Sequence, residues 1–136
     1  MSAKRAILFL CVHNAGRSQM AAAFARELGG DELTIYSAGS APSETLNPTV
    51  VAAMTEVGLD ITGEEPKKLT DEMAMASNVI VTMGCGDECP YYPGKRYDDW
   101  ELTDPAGQSL EVVRAVRNEI ERRVRTLVEE LRPSSN

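Results

Sequence analysis

No stretch of this chain approaches the roughly 20 consecutive apolar residues that a membrane-spanning helix needs, and no secretory leader pattern opens it. Three cysteines among 136 residues are an odd number and give no paired framework of the kind that staples small secreted domains. A single histidine, His13, leaves Cys85 and Cys89 without the further ligands that a zinc site built on them would require. Positive charge is also short: 14 Lys and Arg stand against 21 Asp and Glu, a net charge of −7, which disfavours nucleic acid and anionic membranes as partners. Together these absences predict a cytoplasmic protein in a reducing compartment, with no metal and no tightly bound cofactor. Its thiols are there for chemistry, redox work or packing.

What is present begins at once. The apolar run Ala6 to Leu10 reads as a buried strand of a parallel sheet and ends in Cys11. Arg17 to Leu28 is rich in helix formers and is closed by Gly29 and Gly30. Cys11 to Gly16 is therefore a strand-to-helix turn whose backbone N–H groups and helix N-terminus converge on one anion. The same field stabilises a thiolate, which makes Cys11 a nucleophile at neutral pH. Arg17 supplies a planar fork of donors for a tetrahedral oxyanion, and Ser18 is placed to hydrogen-bond the sulfur. A lone Cys ending a strand is ordinarily a small core residue; the strand, loop, Arg-Ser and helix context is what points to chemistry. The oxyanion loop is then Val12, His13, Asn14, Ala15, Gly16, Arg17 and Ser18, with Gly16 supplying backbone freedom.

Further along, Leu33 to Ser37 reads as a second strand, and Asn47 caps a helix with Pro48 at its first position. A short helix over Thr70 to Ala76 precedes a third strand, Ser77 to Met83, and a fourth strand falls around Arg96 to Trp100. From about Ser109 to Leu131, Leu110, Val113, Val116, Ile120, Val124, Leu127 and Leu131 form one apolar stripe, opposite a solvated face of arginines and glutamates. This alternation predicts an α/β fold: one three-layer α/β/α domain over residues 1–131 with a four-stranded parallel sheet, followed by a disordered tail, 132–136. Ligands of such sheets sit beyond the carboxyl ends of the strands, where Cys11, Cys85, Cys89 and Asp104 all fall.

The Cys-x5-Arg-Ser loop near the N-terminus resembles the signature of the low-molecular-weight protein tyrosine phosphatase superfamily, and the resemblance covers nearly the whole chain. Cys11-Val-His-Asn-Ala-Gly-Arg-Ser-Gln-Met-Ala21 and Asp104-Pro-Ala-Gly107 look like its arsenate reductases. The resemblance implies that Asp104 is the general acid; in isolation an Asp before proline is more commonly a turn residue. Phosphatases of the superfamily carry aromatic residues after the Asp-Pro pair and a second cysteine before the loop arginine. Here Ala106-Gly107 and Gly16 stand instead.

Arsenate is then the expected substrate. Within the arsenate reductases, Gly84-Cys85-Gly-Asp87-x-Cys89-Pro90 resembles the actinobacterial enzymes that pass arsenate to mycothiol for reduction by mycoredoxin. Thioredoxin-coupled reductases instead run a disulfide cascade through three cysteines, the latter two of them six residues apart. Only three residues separate Cys85 from Cys89, which are therefore either redox-active or packed. A phosphatase and a non-catalytic arsenite-binding thiol module are the remaining alternatives. The thioredoxin-coupled branch also holds a potassium ion through an Asn, a Glu, a Ser and an Asp. The matching positions here are Asn14, Ala22, Ser37 and Lys68, so the Lys68 ammonium is expected to replace the cation by bonding Asn14 and Ser37. For the His13 side chain the sequence offers two placements, in the loop or in solvent.

Overall fold

The computed structural model describes residues 4–84 and 90–131. Strand β1, Arg5–Cys11, is buried along nearly its whole length and lies inside a four-stranded sheet of order β2-β1-β3-β4, where β2 is Leu33–Gly39, β3 is Val79–Thr82 and β4 is Arg96–Asp99. All three pairings are parallel. The chain leaves β1 for β2 on one side and returns to β3 on the other. The connections therefore diverge at the carboxyl end of β1, where α/β sheets open a crevice.

Alternation along β1 separates two apolar layers. Ile7, Phe9 and Cys11 join the larger core with Met20 and Phe24 of α1 (Arg17–Gly29), Val50 and Met54 of α2 (Pro48–Glu56) and the stripe of α4 (Leu110–Leu131). Leu8 and Leu10 face the smaller layer with Ala38, Ile80 and Ala74 of α3 (Asp71–Ala76). A single-domain α/β/α fold with four parallel strands is thus what the sequence builds. Among the described residues no helix is long and apolar enough to cross a membrane. The tail 132–136 lies outside the described residues.

The element ends follow from local chemistry. Asn47 Oδ1 accepts from the N–H of Thr49 at 2.9 Å and of Val50 at 3.4 Å, with Pro48 at the first helical position. Thr70 caps α3 through Met73 N–H. The third strand is shorter than its apolar run because Ser77 is spent ending α3, its N–H on Ala74 O and its hydroxyl on Met73 O.

One reading of α4 needs correction. Its charged residues are not all solvated: Arg117 is buried and donates to Ala53 O at 2.9 Å and Glu56 Oε1 at 2.7 Å. Arg114 reaches the same carboxylate at 2.5 Å, so two arginines of α4 clamp the C-terminus of α2. Hydrogen bonds from Arg114 and then Arg117 hold the Glu56 pKa down from 4.5 to about 2. A depressed carboxylate stabilises the fold fully above its unfolded value, and that contribution disappears as pH falls through the folded one. The stability difference between the parent chain and Glu56→Gln is therefore expected to hold steady above about pH 5 and to shrink toward zero between 4.5 and about 2. Urea unfolding across that range checks it; a difference independent of pH would contradict the clamp. Glu119 is also lowered to about 2, by Arg122 and Arg123, but it is present in both chains and cancels.

Candidate active site

The turn after β1 is shaped by where its carbonyls go. Those of Cys11, Val12, His13 and Ala15 accept from the N–H groups of Ser40 (3.2 Å), Ala41 (2.9 Å), Ser43 (3.0 Å) and Asn47 (3.0 Å), all in the segment after β2. The Asn14 carbonyl accepts from Gln19 Nε2 at 3.1 Å. A trans peptide points its N–H opposite its C=O, so drawing the carbonyls outward turns the following N–H groups inward. Asn14 N–H accordingly donates to Cys11 Sγ at 3.3 Å. Among the described non-glycine residues only Asn14 takes a positive φ, 51°, a conformation asparagine tolerates better than most. Gly39 lets β2 approach this closely: a Cβ there would lie 2.5 Å from the Val12 carbonyl oxygen and 3.1 Å from Asn14 N.

Around the sulfur, Ser18 Oγ lies 2.8 Å from Cys11 Sγ and 2.7 Å from Asn14 Nδ2. Arg17, only 7% exposed, reaches Leu102 O at 3.4 Å and pairs with Asp104 at 3.7 Å. Asp104 is held at the rim by Ala106 N–H, which donates to its Oδ1 at 3.0 Å. Cys11, Arg17 and Asp104 line one cleft of about 280 Å³. No Phe, Tyr or Trp is among the described residues that line it. A buried thiol, inward N–H groups, a guanidinium and a carboxyl at the mouth are an arrangement with the size and polarity to take a tetrahedral oxyanion beside the sulfur.

Residues 6–136 match the family described as low molecular weight phosphotyrosine protein phosphatase. The chain belongs to that family. Several of its curated and structurally characterised relatives carry arsenate reductase names. A "Glutaredoxin arsenate reductase" of Synechocystis is 38% identical over 90% of this chain and 95% of its own length. A Corynebacterium glutamicum thioredoxin-dependent arsenate reductase superposes with a TM-score of 0.80 at 41% identity over 96% of this chain, which spans 62% of that longer protein. An arsenate reductase in the phosphate-binding state gives 0.83 at 36% identity, covering 93% of this chain and 98% of the other.

Within this phosphatase-family fold the residues expected at the site divide. Val12 to Ser18 form the loop as one unit, and Asp104 is brought to Arg17 from 87 residues away in the chain. His13 lies at the exposed face, with Nδ1 3.3 Å from Ala41 O. The expectation for Lys68 is corrected: its ammonium donates to Ser40 O at 2.9 Å, not to Asn14 or Ser37. Residues 67–69 run parallel to the end of β2, with Lys68 bridged to Gly39, so it is the backbone N–H of Lys67 that meets Asn14 Oδ1, at 2.8 Å. Ser37 is buried and its hydroxyl has no hydrogen-bond partner among the described residues, so it bonds neither Asn14 nor Lys68. Lys68→Gln should accordingly leave kcat/KM within about twofold, the scale of an exposed hydrogen bond, measured by steady-state kinetics.

Cys85 and Cys89 lie outside the described residues. The residue before them, Gly84 (φ 84°), packs on the Arg17 guanidinium so closely that a Cβ has no room.

Three contributors were not foreseen. Gln19 and the Lys67 N–H support Asn14, and Asn47, besides capping α2, donates from Nδ2 to Pro105 O at 3.4 Å. The one available signal was Gln19 itself, a polar residue next to the apolar run Met20 to Ala25 of α1.

Proposed function

We propose that this protein is an arsenate reductase that works in a reducing cytoplasm. The observation that carries the reading is Cys11 Sγ, hydrogen-bonded by Asn14 N–H and beside Ser18 at the focus of a loop that also presents Arg17. The absence of aromatic side chains among the described residues that line the cleft favours a small inorganic oxyanion over phosphotyrosine, which would need a ring to stack on. The arsenate reductase names among its relatives point the same way.

In this reading the Cys11 thiolate attacks arsenic and forms a sulfur–arsenic bond. One arsenate oxygen leaves as water with a proton from Asp104, while Arg17 and the loop N–H groups carry the charge of the remaining oxygens. Mycothiol then displaces Cys11 from arsenic. Mycoredoxin attacks the mycothiol sulfur, so the sulfur–arsenic electron pair stays on arsenic, arsenite departs, and a mixed disulfide remains. The supporting feature is the short Cys85–Cys89 spacing.

A second reading is favoured by the 41% identical thioredoxin-dependent relative. There Cys85 or Cys89 attacks the Cys11 sulfur, arsenite departs, and the remaining cysteine moves the disulfide onto the Cys85–Cys89 pair for thioredoxin to reduce. Arsenate-dependent NADPH oxidation with mycothiol and mycoredoxin, against thioredoxin alone, separates the two. The mycothiol reading expects turnover that survives Cys85→Ser and Cys89→Ser. Turnover with thioredoxin alone that needs all three cysteines would contradict it.

Gly16 has a place in this chemistry. A Cβ on it would lie 2.8 Å from Pro105 Cγ, so the proline beside the proton donor rests directly on the cradle. Gly16→Ala should displace Pro105 and with it Asp104. Misplacement on that scale is expected to lower kcat by about tenfold to a hundredfold, read from arsenate turnover.

A further inference from the structure

We propose that Gln19 is a positioning residue that fixes which way the hydrogen bonds run toward the Cys11 sulfur. Its side chain is fully buried. Its Nε2 meets three oxygens and no donor: Asn14 O at 3.1 Å, Asn14 Oδ1 at 3.0 Å and Glu65 O at 3.3 Å. The orientation of the Gln19 amide is thereby determined, because its oxygen in that place would face only acceptors. Its Oε1 is left buried with no partner among the described residues. A buried oxygen without a donor is destabilising, and it is retained here as the other end of an amide aimed at Asn14.

Asn14 is fixed in turn. Its Oδ1 accepts from Gln19 Nε2, which the carbonyls of Asn14 and Glu65 already orient as a donor, and from the Lys67 backbone N–H, so two donors together hold this atom as the oxygen. Nδ2 must therefore be the atom facing Ser18 Oγ at 2.7 Å, as a donor. With that lone pair of Ser18 occupied, its hydroxyl hydrogen is free to point at Cys11 Sγ, 2.8 Å away. The chain of constraint runs from Gln19 through Asn14 to Ser18 and ends with a hydroxyl donating to sulfur, the direction that favours a thiolate. Gln19 also completes the outward set of loop carbonyls at Asn14, which no N–H of the 40–47 segment reaches.

The proposal rests on Cys11 being the nucleophile but not on arsenate being the substrate, so its test uses neither arsenate nor a reductant. The rate of Cys11 alkylation by iodoacetamide at neutral pH, located by peptide mass spectrometry, is compared across a double-mutant cycle. Gln19→Met, which keeps the length and removes the donor, is expected to slow alkylation by about tenfold, the scale of one lost buried hydrogen bond. In a Ser18→Ala background the same substitution should change the rate by less than about twofold, because its route to the sulfur is already gone. Equal slowing in both backgrounds, or none in either, would overturn the proposal alone. A native chain whose Cys11 reacts no faster than in denaturant overturns the nucleophile reading and the proposal with it. If Gln19→Met does not fold, the unmodified protein carries the test by side-chain amide hydrogen exchange. Gln19 should exchange far more slowly than the exposed Gln108, the chain's other glutamine; equal rates would overturn the proposal.

Discussion

Cys11→Ser is expected to abolish arsenate turnover, by at least about 10⁴-fold in kcat, the scale on which removing a covalent nucleophile acts, while leaving the fold intact. Serine is nearly isosteric, and the position is buried among the residues of the larger core, so packing changes little. The hydroxyl oxygen can still accept from Asn14 N–H and face Ser18, as the sulfur does. What it cannot do is form a sulfur–arsenic bond. Because the proposed oxyanion site is made of backbone N–H groups and Arg17, inorganic phosphate should still bind the variant. Steady-state kinetics beside a phosphate titration checks both halves; retained turnover would overturn the mechanism altogether.

Arg17→Lys carries the second largest effect, an expected loss of about 10²- to 10³-fold in kcat/KM, comparable to removing one donor from an oxyanion site. The positive charge survives, so a purely electrostatic role would predict a small change. The guanidinium, however, is gripped at several points: Leu102 O at 3.4 Å, Asp104 at 3.7 Å and the face of Gly84. A planar fork held on those sides presents its remaining donors to the oxyanion in fixed directions. An ammonium on a flexible stem does not. The loss should appear both in KM and in kcat, because the same donors meet the ground-state oxyanion and the charge that develops during attack.

How far the site could be read from the sequence depended on how local each interaction is. Cys11 to Ser18 is one continuous strand-turn-helix, and its outline follows from residue types within that short segment. Asn47-Pro48 was legible for the same reason, as a helix cap complete within four residues. Asn47's second bond, to Pro105 O, depends on a loop 58 residues away, and nothing near Asn47 announces it. The Lys68 expectation failed on a finer point. Matching a lysine to a lost metal ligand assumed that a side chain must fill the gap. The fold instead runs residues 67–69 beside Gly39 and meets Asn14 with the Lys67 backbone N–H, a donor that every residue except proline carries and that no sequence pattern marks. Arg117 escaped because the apolar stripe of α4 borders on it, and its burial rests on the position of Glu56 and Ala53 O in α2. The sheet followed more directly, since the buried run of β1 and the alternation of strands and helices leave few parallel arrangements.

Cys11 and its cradle are expected to reduce arsenate and not chiefly to hydrolyse aryl phosphates. The most direct measurement compares arsenite release from arsenate, in the presence of thiol donor and reductase, with hydrolysis of p-nitrophenyl phosphate by the same preparation. Arsenite should form in proportion to NADPH consumed, with aryl phosphate hydrolysis persisting only as a slow side activity that Cys11→Ser also removes. Efficient hydrolysis of the aryl phosphate, with no arsenite formed under either thiol system, would contradict the claim.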